Sequence, residues 1–145
     1  MSQKTILLVD DEQGFLEALE DALSHEGYRV LKARDASTAL DILKQESVDV
    51  ASVDIMLTPG TRLEGTVDSQ RAGIYLCEQI AKEYPSIDTF CLSVVTDPGI
   101  IRQIQQLGVR FLRKGETPLR TVLNMMRSRL TGVAYSSRRN PKRLD

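Results

Sequence analysis

Neither sign of charge dominates this 145-residue chain: 19 lysines and arginines stand against 20 aspartates and glutamates, a formal net charge of −1. Such a balance draws the molecule as a whole toward neither nucleic acid nor an anionic membrane. Long apolar runs are also missing. No stretch approaches the roughly 20 residues of a membrane span, and no apolar segment follows Met1-Ser2-Gln3-Lys4 as a secretory leader would require. A soluble, cytoplasmic protein without membrane insertion is expected. The two cysteines, Cys77 and Cys91, have apolar neighbours and no CxxC spacing, which points to buried thiols and not to a redox pair. Neither GxGxxG nor GxxxxGK[ST] follows the first apolar run, so a nucleotide-cradling loop is absent. Nor is there an internal repeat or a low-complexity tract.

What is present is an alternation of short apolar runs with amphipathic helical patterns, repeated five times, which predicts an α/β fold with a parallel sheet covered on both faces. The strands are expected at Lys4–Val9, Tyr28–Ala33, Val48–Ile55, Thr89–Val95 and Val109–Arg113. The first helix carries Phe15, Leu16, Leu19, Ala22 and Leu23 at helical spacing and stops at Gly27. A second spans Ala36–Gln45, and a third spans Gly73–Tyr84 before Pro85. Thr96 or Asp97, followed by Pro98, opens a fourth whose inner stripe is Ile100, Ile101, Ile104 and Leu107; Thr117-Pro118 repeats the signal for a fifth that faces the sheet with Leu119, Val122, Leu123, Met126 and Leu130. One domain over residues 1–130 is expected, with a basic, aperiodic tail over 131–145 that includes Arg138, Arg139, Lys142 and Arg143.

Polar residues gather at the strand ends. Asp10 and Asp11 directly follow the first run and Asp54 ends the third. Neighbouring parallel strands would bring these carboxylates to one edge, where they repel unless a cation or protons neutralise them. Carboxylates with room left for water and phosphate oxygens are a usual way to hold Mg²⁺. Ser93 and Lys114 end strands four and five, and ligands of open parallel sheets bind at that edge.

The chain closely resembles the response-regulator receiver domain of two-component signalling. The resemblance spans about Lys4 to Leu130 and rests on Leu7-Leu8-Val9-Asp10-Asp11-Glu12, Val53-Asp54-Ile55-Met56-Leu57, Ser93, and Phe111-Leu112-Arg113-Lys114. It implies a flavodoxin-like fold, a five-stranded parallel sheet of order 2-1-3-4-5 flanked by five helices. It further implies that Asp54 is the phospho-acceptor, that Mg²⁺ (or Mn²⁺) is held by Asp10, Asp11, Asp54 and the Met56 backbone carbonyl, and that Lys114 and Ser93 contact the phosphoryl group. Ser93 and Phe111 would form the switch. The implied partners are a histidine kinase or phosphotransfer protein and a downstream protein target in trans; nucleic acid is not an expected partner. Such a protein assists its own phosphorylation and dephosphorylation and is not otherwise an enzyme. The alternative is a receiver-like binding module that works without phosphate. Glu12 reads as a solvated start to the first helix, and the only histidine, His25, as a residue suited to that helix's C-terminus.

Several positions depart from the family's pattern. The segment Thr58–Ala72 is about ten residues longer than usual, and loops of that length are commonly functional or disordered. Its Arg62 or Arg71 could reach the phosphoryl group or a partner. Val94, Val95 and Met56 are bulky or apolar where relatives carry small or polar side chains, which predicts obstructed access of the hydrolytic water and a long-lived phosphoryl state. Gly115 replaces a common proline after the lysine.

Overall fold

A computed structural model describes residues 3–57, 60, 71–94 and 97–132. The elements run β1 (Thr5–Val9), α1 (Gln13–His25), β2 (Arg29–Ala33), α2 (Ala36–Gln45), β3 (Val50–Val53), α3 (Ala72–Glu83), β4 (Asp88–Ser93), α4 (Pro98–Gln106), β5 (Arg110–Arg113) and α5 (Leu119–Thr131). All four strand pairings are parallel, and the sheet order is β2-β1-β3-β4-β5. The α/β fold expected from the alternation is the one observed.

Side-chain alternation along the strands divides the core into two layers. Ile6, Leu8, Val50, Phe90 and Leu92 point to one face, where they pack with Leu16, Leu19 and Leu23 of α1 and Val122, Leu123, Met126 and Leu130 of α5. Leu7, Val9, Ala51, Val53 and Cys91 point to the other, against α2, α3 and α4. Because helices cover both faces, β1 is buried throughout and reads as an unbroken apolar run. Cys77 and Cys91 are buried free thiols on this second face. A hydrogen bond that the protonated Cys91 thiol makes with Cys77, together with burial, holds its pKa well above the ordinary range, so it stays protonated and inert.

The ends of the elements differ from the sequence expectation in places. β3 is two residues shorter at each end than Val48–Ile55, and β4 starts one residue early and closes at Ser93; Val95 and Thr96 lie outside the described residues. Asp97 caps α4, its carboxylate accepting from the amides of Gly99 and Ile100. Within that helix Ile104 is fully buried and Ile100 and Leu107 pack against the core, whereas Ile101 joins neither core cluster. The fifth helix corrects the reading more clearly: Pro118 itself occupies the cap position, no side chain caps the helix, and Leu119 is 38% exposed instead of facing the sheet. The proline lacks an N–H and fixes φ, so it ends the preceding turn and leaves Thr117 outside the helix. Gly132 closes α5 in the left-handed conformation, and the tail beyond it lies outside the described residues, as do Arg62 and most of segment 58–72.

Candidate functional site

Register places the acidic residues side by side. Val9 lies opposite Val53 in the β1–β3 ladder, so the residues that follow them, Asp10 and Asp54, leave adjacent strands at the same level. The ladder continues one step further: the Asp54 amide donates to the Val9 carbonyl at 3.0 Å and the Asp10 amide to the Ala33 carbonyl at 3.1 Å. Carboxylate oxygens of Asp10, Asp11 and Asp54 lie within 4.8 Å of one another. Asp10 and Asp54 are buried and Asp11 is exposed. At the far side of the sheet Ser93 lies opposite Arg113, and the Lys114 amide donates to the Ser93 carbonyl at 2.9 Å, which fixes where the lysine side chain begins.

Lys114 spans the pocket. Its Nζ is 2.8 Å from Asp10 Oδ2, 2.9 Å from Glu12 Oε1 and 3.5 Å from Asp54 Oδ2, and it stands 4.6 Å from the centroid of the Phe15 ring. Burial works against its charge, but the bonds to Asp10 and Glu12 and the fields of Asp10 and Asp54 outweigh it, so its pKa lies above the ordinary value and the ammonium persists. Asp54 shows the opposite balance. Burial and the neighbouring Asp10 push its carboxyl up to about 6 from 3.8, although Lys114 and the Met56 amide, which donates to Asp54 Oδ1 at 3.1 Å, favour the charged form. A buried acid beside like charge accepts a proton or a cation readily.

The residues implied by resemblance therefore fall into two groups. Asp10, Asp11, Asp54, Ser93 and Lys114 converge at one edge. Met56 and Val94, 47% and 64% exposed, follow the buried Asp54 and Ser93 on the rim, and Val95 is outside the described residues. Phe111 is half-buried against the α3–α4 layer and lies opposite Cys91, two positions before Arg113, so strand alternation puts it on the same sheet face as Ser93. Glu12 departs from the sequence reading: it is a partner of Lys114 as well as the residue at the start of α1. A cavity of about 560 Å³ lies elsewhere, lined by Pro85, Asp88, Gln105, Gly108, Arg110 and Arg129 at the opposite end of the strands.

The matching of residues 6–124 to the response regulator receiver domain decides the family. The chain belongs to the response-regulator receiver family. Among solved structures, it is similar to a CheY-like response regulator receiver domain protein from Methanospirillum hungatei (TM-score 0.76, 23% identity, covering 90% of this chain and 96% of that one). It is also similar to the signal receiver domain of an HD domain-containing protein from Pseudomonas fluorescens (TM-score 0.75, 28% identity, 90% and 97% covered). A response regulator from Thermotoga maritima matches with a TM-score of 0.70 at 21% identity, with 90% and 99% covered. This receiver domain has the CheY-like fold of two-component signalling, and receiver domains partner with histidine kinases or phosphotransfer proteins. No helix among its described residues is long and apolar enough to cross a membrane.

Proposed function

We propose that the chain is a phospho-accepting response regulator in which Asp54 takes a phosphoryl group from a histidine kinase or phosphotransfer protein, in a Mg²⁺-dependent reaction, and switches a partner-binding face. The observation that carries this reading is the convergence of three carboxylates and one lysine, with the most buried pair, Asp10 and Asp54, in register on β1 and β3.

The donor set fits a hard cation: all three side chains are carboxylates, two are buried, and their mutual repulsion is relieved by binding one. Asp10, Asp11 and Asp54, with the Met56 carbonyl, would hold Mg²⁺ or Mn²⁺. When bound, such an ion neutralises charge on the incoming phosphoryl group. The protein's own groups supply position. An Asp54 carboxylate oxygen forms the new P–O bond while the P–N bond of the donor phosphohistidine breaks and the imidazole leaves with its electron pair. The Met56 amide, bonded to Asp54 Oδ1, fixes the orientation of the attacking carboxylate. Lys114 moves from its carboxylate partners to a phosphoryl oxygen, and the Ser93 hydroxyl donates to another. Drawing Ser93 forward opens space on the face it shares with Phe111, whose ring turns inward and changes the α4–β5 surface read by a protein target in trans. Met56 and Val94 at the rim hinder the hydrolytic water and lengthen the life of the phosphorylated state.

Mass spectrometry after treatment with acetyl phosphate and Mg²⁺ tests this. An aspartyl phosphate on Asp54, absent in Asp54→Asn and absent when the metal is chelated, is expected; an unmodified wild-type chain would refute the proposal.

A further inference from the structure

We propose that Glu12 is a positioning residue that holds the Lys114 ammonium on the β1–α1 side of the pocket and thereby controls its release to the acceptor. The inference rests on the reading of Asp54 as the phospho-acceptor. An ammonium has three N–H bonds to give. Two of them are committed at short range to Asp10 and Glu12, at 2.8 and 2.9 Å, and Asp54 receives the longest contact at 3.5 Å. The Phe15 ring, 4.6 Å away on α1, adds attraction from the same side. Three of the four groups that hold the lysine thus belong to the β1–α1 edge, and the acceptor is the weakest of its carboxylate partners.

Glu12 differs from the other two carboxylates in a way that suits it to this task. It lies outside the Asp10–Asp11–Asp54 cluster, so a cation taken up by that cluster competes for Asp10 and Asp54 but leaves Glu12 to the lysine. Its backbone is fixed, because its amide donates to Asp10 Oδ1 at 2.8 Å and its carbonyl accepts the first helical bond from Leu16. Its side chain is 63% exposed, against 10% for Lys114, so the pair is anchored at the lysine and easily broken at the glutamate. An ion pair with one exposed partner is weak enough to yield to a phosphoryl group and strong enough to bias where the ammonium rests.

The test compares Glu12→Gln, Glu12→Asp and, as a charge-matched control further along α1, Glu17→Gln. Two measurements are made: the Lys114 side-chain ¹⁵N resonance in metal-free protein, and the initial rate of phosphorylation by acetyl phosphate with Mg²⁺. Glu12→Gln is expected to shift the lysine resonance and to raise the rate about 2- to 5-fold, the span that an exposed ion pair represents. Glu12→Asp, which keeps the charge but loses the reach, should do the same, and Glu17→Gln should do neither. An unchanged resonance and rate in Glu12→Gln would overturn the inference, as would equal acceleration in Glu12→Gln and Glu17→Gln with none in Glu12→Asp, since that pattern belongs to net charge alone. A shifted resonance in a chain whose wild type takes no phosphate would remove the acceptor reading and not the Glu12–Lys114 contact.

Discussion

Gly73 lies against the backbone of Asp54 so closely that a β-carbon there would stand 2.3 Å from the Asp54 carbonyl oxygen and 2.4 Å from Ile55 Cα. The second residue of α3 therefore sets the height of the loop that carries Asp54. A backbone neighbour cannot swing aside as a flexible side chain would, so substitution must displace either the helix or the loop. Gly73→Ala is expected to lower unfolding free energy by about 1–3 kcal/mol, in the range of overpacking. It should also weaken Mg²⁺ binding, because Asp54 moves relative to Asp10. Urea unfolding and calorimetric metal titration check the two effects, and full retention of both properties would mean that the close approach has no bearing on the site.

The raised pKa of Asp54 has a definite sign in stability. Its folded-state value, about 6, exceeds the ordinary 3.8, so the carboxyl's favourable contribution is complete below pH 3.8 and is lost as pH rises through 6. In chelator-treated protein the stability difference between wild type and Asp54→Asn should grow in favour of the variant over that window, by at most about 1.4 kcal/mol per pH unit. Added Mg²⁺ should reverse the order at neutral pH, since a ligand that binds only the folded state stabilises it. Unfolding curves at pH 4.5, 5.5 and 7 decide the matter; a constant difference would show that the Asp54 charge is not strained.

Much of the site was legible because parallel strands end at one edge. With Lys4–Val9 and Val48–Ile55 expected as neighbouring parallel strands, Asp10 and Asp54 must come to one edge, and the register of Val9 with Val53 meets that expectation. The Glu12–Lys114 contact was not legible. Local spacing explains Glu12 well enough as the residue opening α1, and only the packing of β5 beside β4 brings the lysine to it. Gly73 was visible as the start of the expected third helix, yet its closeness to Asp54 depends on how α3 docks. The start of α5 misled for a different reason: threonine followed by proline marks helix starts only where the proline can take the first helical position, and here it stands one place earlier.

Phe111 offers a separable test of the switch. Being half-buried, it should cost less on truncation than the about 3–5 kcal/mol of a fully buried phenylalanine. Phe111→Ala is expected to accept phosphate on Asp54 while losing the response of α4 and β5. Amide spectra with and without a beryllofluoride adduct measure that response. Spectral changes in α4 and β5 as large as those of the wild type would assign the switch to another side chain.

Val94 is 64% exposed directly after Ser93, which is fully buried, so its isopropyl group sits at the rim while the hydroxyl proposed to contact the phosphoryl group lies within. Hydrolysis of an aspartyl phosphate needs a water in line with the breaking P–O bond, and a β-branched side chain beside that line raises the cost of placing it. Removing two methyl groups at an exposed position should scarcely affect stability, within about 0.5 kcal/mol. Val94→Ala is accordingly expected to dephosphorylate about 10-fold faster, equivalent to about 1.4 kcal/mol in the barrier. Loss of the phosphorylated mass after removal of acetyl phosphate gives the rate, and a lifetime equal to that of the wild type would eliminate steric shielding by Val94.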